Sequence, residues 1–324
     1  MKNGVLPLPK AKQENMLNSK FWVKKSQHLR FVKLDKNLNF EKNSFYILFA
    51  PLFLIIAFYV YLKKKIIPHP KFNFYFFDGI SKNCRKIKEN ARSWYALNLV
   101  YNNYSNTDVF WGNLTYNFFW HSLKNSRALR NRLKLISFLL FKNFEEILRK
   151  NKEVRLISIA SGSAQGVIET AAEAKRKGIL IKGILIDLDP IAIEYSKKLS
   201  QKLGVEKQFT FINNKASIIN KIGKEFKPNI IEMFGFLEYK PFNKAVRLIQ
   251  DIYQVLDKEG VFITSQIASN FEKLFQTEVA NWPMIYRNSK ETAKILSLSG
   301  FSSGNYSFYQ EPLKIHYIAE CKKI

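Results

Sequence analysis

From residue 154 onward, short apolar runs alternate with segments of helical spacing. Val154 to Ala160 (V-R-L-I-S-I-A) is short and apolar enough for a buried strand. Ser161-Gly162-Ser163-Ala164 follows as a tight small-residue loop, where backbone approaches a ligand with no side chain in the way. Gln165 to Lys177 carries Val167, Ile168, Ala171 and Ala172 at helical spacing, and Gly178 suits a helix stop. A second buried strand, Ile181 to Ile186, ends on Asp187. Further along, Lys244 to Leu256 and Lys290 to Ser299 read as helices. Gly260 to Gln266, Tyr306 to Tyr309 and Ile315 to Ala319 read as strands. Such alternation predicts an α/β fold with a parallel, doubly wound sheet. Ligands bind outside the carboxyl ends of its strands, which selects Ser161 to Ser163, Asp187, Asn214 and Met233 to Gly235.

The first half is patterned differently. Phe45 to Leu62 is the most apolar run in the chain, free of charge and closed by Lys63-Lys64-Lys65. As a helix it would span about 27 Å, enough for a thin hydrocarbon core, with Tyr46, Tyr59 and Tyr61 near its ends. A transmembrane or membrane-anchor helix is the expectation, with a buried core helix or re-entrant hairpin as the other reading. Met1 to Ser44 is polar and basic with Phe21, Trp22, Phe31 and Val32 interspersed, which fits a membrane-surface segment or a disordered one. Ile66 to Lys150 reads as mostly helical and aromatic-rich. Within it, Ser126 to Leu148 is amphipathic, with Leu129, Leu133, Ile136, Leu139 and Leu140 on one face. Arg127, Arg130 and Arg132 do not share a face of that helix, so some are expected in solvent. The organisation is therefore a basic segment at 1–44, an anchor at 45–62, a helical cap or substrate region at 63–150 and the α/β domain at 151–324.

Asp187 lies 25 positions beyond Gly162 (187 − 162). In a strand–loop–helix–strand unit an acid at that distance sits beside the glycine turn and accepts both hydroxyls of a ribose. The loop is not G-x-G-x-x-G, since only Gly162 and Gly166 are present, which disfavours a nicotinamide-dependent oxidoreductase.

These stretches resemble the motifs of class I S-adenosylmethionine-dependent methyltransferases. Ile157 to Ala164 is similar to the first motif, under the methionine part of the cofactor, and Gly183 to Pro190 to the second, which makes Asp187 the ribose ligand with Asp189 close behind. Phe209 to Ala216 is similar to the third strand and adenine-flanking turn, Pro228 to Tyr239 to the fourth strand and exit loop, and Val255 to Gln266 to the fifth. The A-S-G-S loop resembles a less typical bacterial branch, which R-A-L-R-N-R (127–132) and W-P-M-I-Y-R (282–287) also fit. The resemblance implies a Rossmann-like seven-stranded sheet ending in an antiparallel hairpin, with S-adenosyl-L-methionine as cofactor. It assigns cofactor contacts to Ala160, Ser161, Gly162, Ser163, Asp187, Leu188, Asp189, Asn214, Lys215, Phe234 and Gly235. Ser158 and Ala160 stand where that family usually has an acid and a glycine, and Lys215 where it usually has an acid facing adenine. Loss of the first acid removes a common partner of the methionine ammonium, so that contact is weakened or supplied differently.

Composition changes the picture only at its margins. The formal net charge of +26 suits nucleic acid or an anionic membrane surface, but no basic stretch has the interleaved aromatics of a base-stacking surface. Cys84 and Cys321 make no disulfide framework, and His28, His69, His121 and His316 have no metal-ligand spacing, so no metal is expected. Acceptor-side candidates are His121, Glu232, Glu238 and Tyr286, with Arg127, Arg130 and Arg287 as cationic clamps for an anionic acceptor such as a carboxylate, which needs no base. The expected protein is a membrane-anchored methyltransferase for a small-molecule or lipid-like acceptor, its catalytic domain on the cytoplasmic side where the cofactor is found. The altered motifs also leave open a catalytically altered cofactor-binding or regulatory protein on the same fold. Oligomeric state has no sequence signal.

Overall fold

A computed structural model of the chain describes residues 29–34, 38–42, 48–102, 108–150 and 153–324. Among the described residues five α-helices precede the sheet: α1 (Ala50–Ile66), α2 (Lys82–Glu89), α3 (Trp94–Tyr101), α4 (Phe110–Ser122) and α5 (Lys124–Lys150). The alternating half follows as β1 (Val154–Ile159), α6 (Gln165–Arg176), β2 (Ile181–Asp187), α7 (Pro190–Lys202) and β3 (Phe209–Asn213). It continues with α8 (Ile219–Phe226), β4 (Ile230–Met233), α9 (Phe242–Val255) and β5 (Val261–Ile267), then α10 (Lys273–Glu278), α11 (Ser289–Leu298), β6 (Tyr306–Gln310) and β7 (His316–Lys322). The sheet order is β3-β2-β1-β4-β5-β7-β6, with β1 to β5 parallel and β7 antiparallel to both its neighbours. This is the expected seven-stranded, Rossmann-like sheet with its terminal hairpin.

Alternate strand residues point to opposite faces, and each face has its own core. Leu156 and Leu185 pack under α5 and α6 with Leu135, Leu139, Phe144, Ile168 and Ala171. Ile157, Ile184 and Ile231 face α8, α9 and α11 through Ile219, Ile249, Ile252 and Ile295. A third cluster joins α1 to α4 with α10, built around Phe53, Phe77, Phe119, Phe275 and Trp282.

One expectation about the first half needs correction. Among the described residues no helix is long and apolar enough to cross a membrane, and positions 45–47 of the predicted span lie outside those residues. Instead α1 lays Phe53, Ile56, Ala57 and Val60, spaced as one helical stripe, against the third core, and Lys64 Nζ donates to the backbone oxygen of Glu278 at 2.7 Å. Leu52, Leu54, Ile55, Phe58, Tyr59 and Leu62 remain exposed on its other sides. Most of the 1–44 segment also lies outside the described residues, but its described parts are docked on the domain. Val32 N–H donates to Phe308 O at 2.9 Å and Phe308 N–H to Arg30 O at 2.8 Å, so the strap adds backbone pairing to the edge of β6.

Candidate functional site

A cavity of about 910 Å³ opens over the carboxyl ends of β1, β2 and β4. Its floor is the loop after β1, in which Ala160, Gly162 and Ala164 all take left-handed backbone, with φ of +52°, +55° and +47°. Such conformations cost non-glycine residues energy and persist where the surroundings over-determine them. Here Ser161 N–H donates to Ile186 O at 3.0 Å, Ala164 N–H to Ser161 O at 2.8 Å, and Gly162 N–H to Asp187 Oδ2 at 2.7 Å. The loop is thus laced to the end of β2. A Cβ on Gly162 would stand 2.9 Å from Trp94 Cβ, so glycine is required both by the turn and by the cap packed on it. Gly162→Ala is expected to lower stability by about 1–3 kcal/mol, read as an earlier denaturant midpoint with unchanged slope.

Asp187 receives two backbone donors, since Asp189 N–H also reaches its Oδ1 at 2.9 Å. Burial pushes its carboxyl above the usual range, and those N–H groups oppose the rise. Asp189 caps α7 by accepting from Ile191 N–H at 2.9 Å and takes Trp94 Nε1–H at 2.8 Å, which latches α3 to the site. On the opposite wall Glu232 is buried against Ser158, its neighbour across the β1–β4 pairing, whose hydroxyl donates to Oε1. Desolvation raises the Glu232 carboxyl to about 8, against the Ser158 hydroxyl and the Phe234 N–H. Arg132, almost wholly buried, donates Nη2–H to Tyr101 Oη at 2.6 Å and lies 3.4 Å from Glu238 Oε1.

All eleven residues proposed as cofactor contacts, Ala160 to Ser163, Asp187 to Asp189, Asn214, Lys215, Phe234 and Gly235, line this one cavity. The acceptor-side candidates separate. Glu232 lines the cavity; Tyr286 and His121 do not, and His121 is exposed. Tyr286 faces Lys273, whose Nζ is 5.0 Å from the ring centre.

The three candidate clamps are structural rather than free. Arg127 Nη1–H donates to Lys42 O at 2.8 Å. Arg130 forms a forked pair with Glu41 at 2.5 and 2.7 Å over the Trp120 ring. Arg287 holds the backbone oxygens of Leu237 and Lys240 and the side chain of Gln266. The expectation that some of Arg127, Arg130 and Arg132 are solvated is corrected: all three are buried, because Glu41 and Lys42 cross over Arg130 and Arg127 while Tyr101 and Glu238 enclose Arg132.

Sequence reading missed Arg92, Trp94, Tyr101, Arg132 and Tyr239, which form the cap side of the cavity. Only for Arg132 was there a signal, its phase on the helix relative to Arg127 and Arg130.

The cavity wall suits S-adenosyl-L-methionine. Ser161 Oγ is buried without a hydrogen-bond partner in the lining, Asp187 keeps lone pairs for hydroxyls, and the loop presents backbone at close range.

A family model described as "Putative methyltransferase" matches residues 81–304. No curated protein sequence matches the chain. Among solved structures, a possible exported protein from Bordetella parapertussis aligns at 14% identity over 85% of this chain and 96% of its own, with a TM-score of 0.63; the likeness is one of fold. Magnesium protoporphyrin IX methyltransferase from Synechocystis PCC 6803, solved with bound S-adenosylhomocysteine, aligns at 14% identity over 61% of this chain and 85% of its own (TM-score 0.47). The pyocyanin biosynthetic protein PhzM aligns at 11% identity over 86% and 72% (TM-score 0.48).

Proposed function

We propose, from the premise that this chain belongs to the methyltransferase family matched over residues 81–304, that it takes S-adenosyl-L-methionine as its methyl donor and a small, largely apolar acceptor. The observation that carries the cofactor is the hydrogen-bonded pair of Gly162 and Asp187 at the head of the cavity. Asp187 would accept the ribose hydroxyls, Ser161 to Ser163 would run under the amino-acid chain, and Asn214 and Lys215 would flank the adenine. When bound, the cofactor supplies an electrophilic methyl on a sulfonium. The protein's own part is to orient the acceptor and exclude water, which α3 does by closing over the loop through Trp94. The cavity has room for an acceptor beside the cofactor, and Tyr101, Phe236 and Tyr239 give that side an aromatic lining. Calorimetry on the full-length protein tests the reading: S-adenosylmethionine and S-adenosylhomocysteine should bind and NAD should not.

The finer part of the proposal is a membrane-surface location, facing the cytosol where the cofactor is available, with a lipid-like acceptor. It is supported by the exposed side of α1, where Leu52, Ile55, Phe58, Tyr59 and Leu62 make an apolar ridge ending in Lys63 to Lys65. Such a helix lies in the interface with its apolar side inserted and the exposed Lys65 against anionic headgroups, Lys63 and Lys64 being held by the backbone oxygens of Phe72 and Glu278. The full-length protein should sediment with phosphatidylglycerol-containing vesicles, more weakly at high salt. Ile55→Glu with Phe58→Glu should abolish sedimentation while leaving stability within about 0.5 kcal/mol per site, because these side chains are 66% and 54% exposed. Retained sedimentation would place the contact elsewhere.

A further inference from the structure

We infer that Glu232 is the group that receives the ammonium of the cofactor's amino-acid end, held in place by Ser158. The inference rests on the cofactor reading above and adds to it the residue that meets the ligand's positive charge.

Glu232 is the buried carboxylate of the cavity wall that has no cation of its own. Its partners are the Ser158 hydroxyl and the Phe234 N–H, both neutral, and among the described residues it forms no ion pair. Glu238, buried close by, already faces Arg132, and Asp187 is committed to the loop. A carboxyl group 3% exposed with no cation opposite it is costly to ionise, and it becomes cheap to ionise when a ligand brings the charge. The position is right for one end of the ligand. β2, β1 and β4 are consecutive strands in the sheet, so Glu232 stands about 10 Å across it from β2, level with Leu185, and Asp187 lies two residues further toward the carboxyl end, a separation of about 12 Å that the two side chains and an extended ligand between them span. The small-residue loop Ser161 to Ser163 lies after β1, between them, where that chain would run. Register sets Glu232 beside Ser158, and its side chain is part of the cavity wall.

A proton marks the event. With its carboxyl held near 8, Glu232 is mostly protonated at neutral pH before binding and ionised once paired. Binding therefore releases close to one proton per cofactor around pH 6–7, and the release fades as pH rises through about 8. The test is calorimetry in buffers of different ionisation enthalpy, on the full-length protein and Glu232→Gln, with S-adenosylmethionine and with 5′-methylthioadenosine, which lacks the amino-acid end. The substitution should weaken S-adenosylmethionine at least about tenfold and remove the proton release. It should leave 5′-methylthioadenosine within about twofold, which also shows that the variant is folded. Unchanged S-adenosylmethionine affinity, unchanged proton release, or an equal loss for both ligands overturns the assignment to Glu232 while leaving the cofactor standing. Failure of the unsubstituted protein to bind either ligand overturns the cofactor reading and this inference with it.

Discussion

Asp187→Ala is expected to weaken S-adenosylmethionine binding by at least about a hundredfold, the largest effect of any single substitution in the cavity. Two hydroxyl hydrogen bonds to a carboxylate are worth about 1.5–3 kcal/mol each, and both are lost together. A second loss comes from the apo protein. Without the carboxylate, the N–H groups of Gly162 and Asp189, at 2.7 and 2.9 Å, lose their acceptor, and the strained loop loses one of the contacts that hold it left-handed. Asp187→Asn should be intermediate, since the amide retains one acceptor oxygen for the loop but offers an N–H where a second acceptor is needed. Titration calorimetry on the two variants and the parent separates the contributions. Binding by Asp187→Ala within about threefold of the parent would remove Asp187 from the ribose.

Arg132→Met should give the largest loss of stability, about 3–5 kcal/mol, because it strands Glu238 in the interior. Burial already holds the Glu238 carboxyl above its ordinary value despite the guanidinium beside it, and without that guanidinium it rises further. The sign of the pH dependence follows. A carboxyl whose folded value is raised favours the folded state in its protonated form, so its stabilisation is full below the unfolded value near 4.5 and is lost as pH rises through the folded value. The Arg132→Met deficit should therefore be large at pH 8 and shrink toward pH 5. Arg132→Met with Glu238→Gln should recover much of it, since no charge is then left buried. Denaturant midpoints at both pH values measure this. A deficit that does not vary with pH would mean that lost packing, and not the abandoned carboxylate, is the cause.

The parts of this protein that could be read from sequence are those dictated locally. A glycine loop between a buried strand and a helix, with an acid at the end of the next strand, is a local arrangement. Ala160 to Ser163 and Asp187 to Asp189 accordingly fell together in the cavity, and Asn214, Phe234 and Gly235 followed once the strands were counted. What failed depended on what covers a surface. The apolar run after Phe45 has the length and character of a membrane span, but Phe53, Ile56, Ala57 and Val60 are buried by α10 and its neighbours, which are far along the chain. Arg127 and Arg130 had the spacing of solvated charges, and became buried because Glu41 and Lys42 cross over them. Ser158 read as a missing acid, whereas the carboxylate beside it arrives from β4 through a pairing between residues 74 positions apart.

The sheet order also fixes when this protein is able to fold. β7, last of the seven strands in sequence, inserts between β5 and β6, and the strap at residues 30–32 pairs with β6. On the ribosome, β1 to β5 emerge with the outer edge of β5 unpaired until residues 316–322 are made, and the strap, although synthesised early, has no strand to pair with until then. Val32 and Phe308 are 276 positions apart (308 − 32), so the strap closes one of the longest loops the chain contains. Contacts of such separation form slowly, and their absence leaves an apolar parallel edge open to other chains. Nascent and truncated forms ending before β7 are therefore the species in which this fold is most exposed to aggregation.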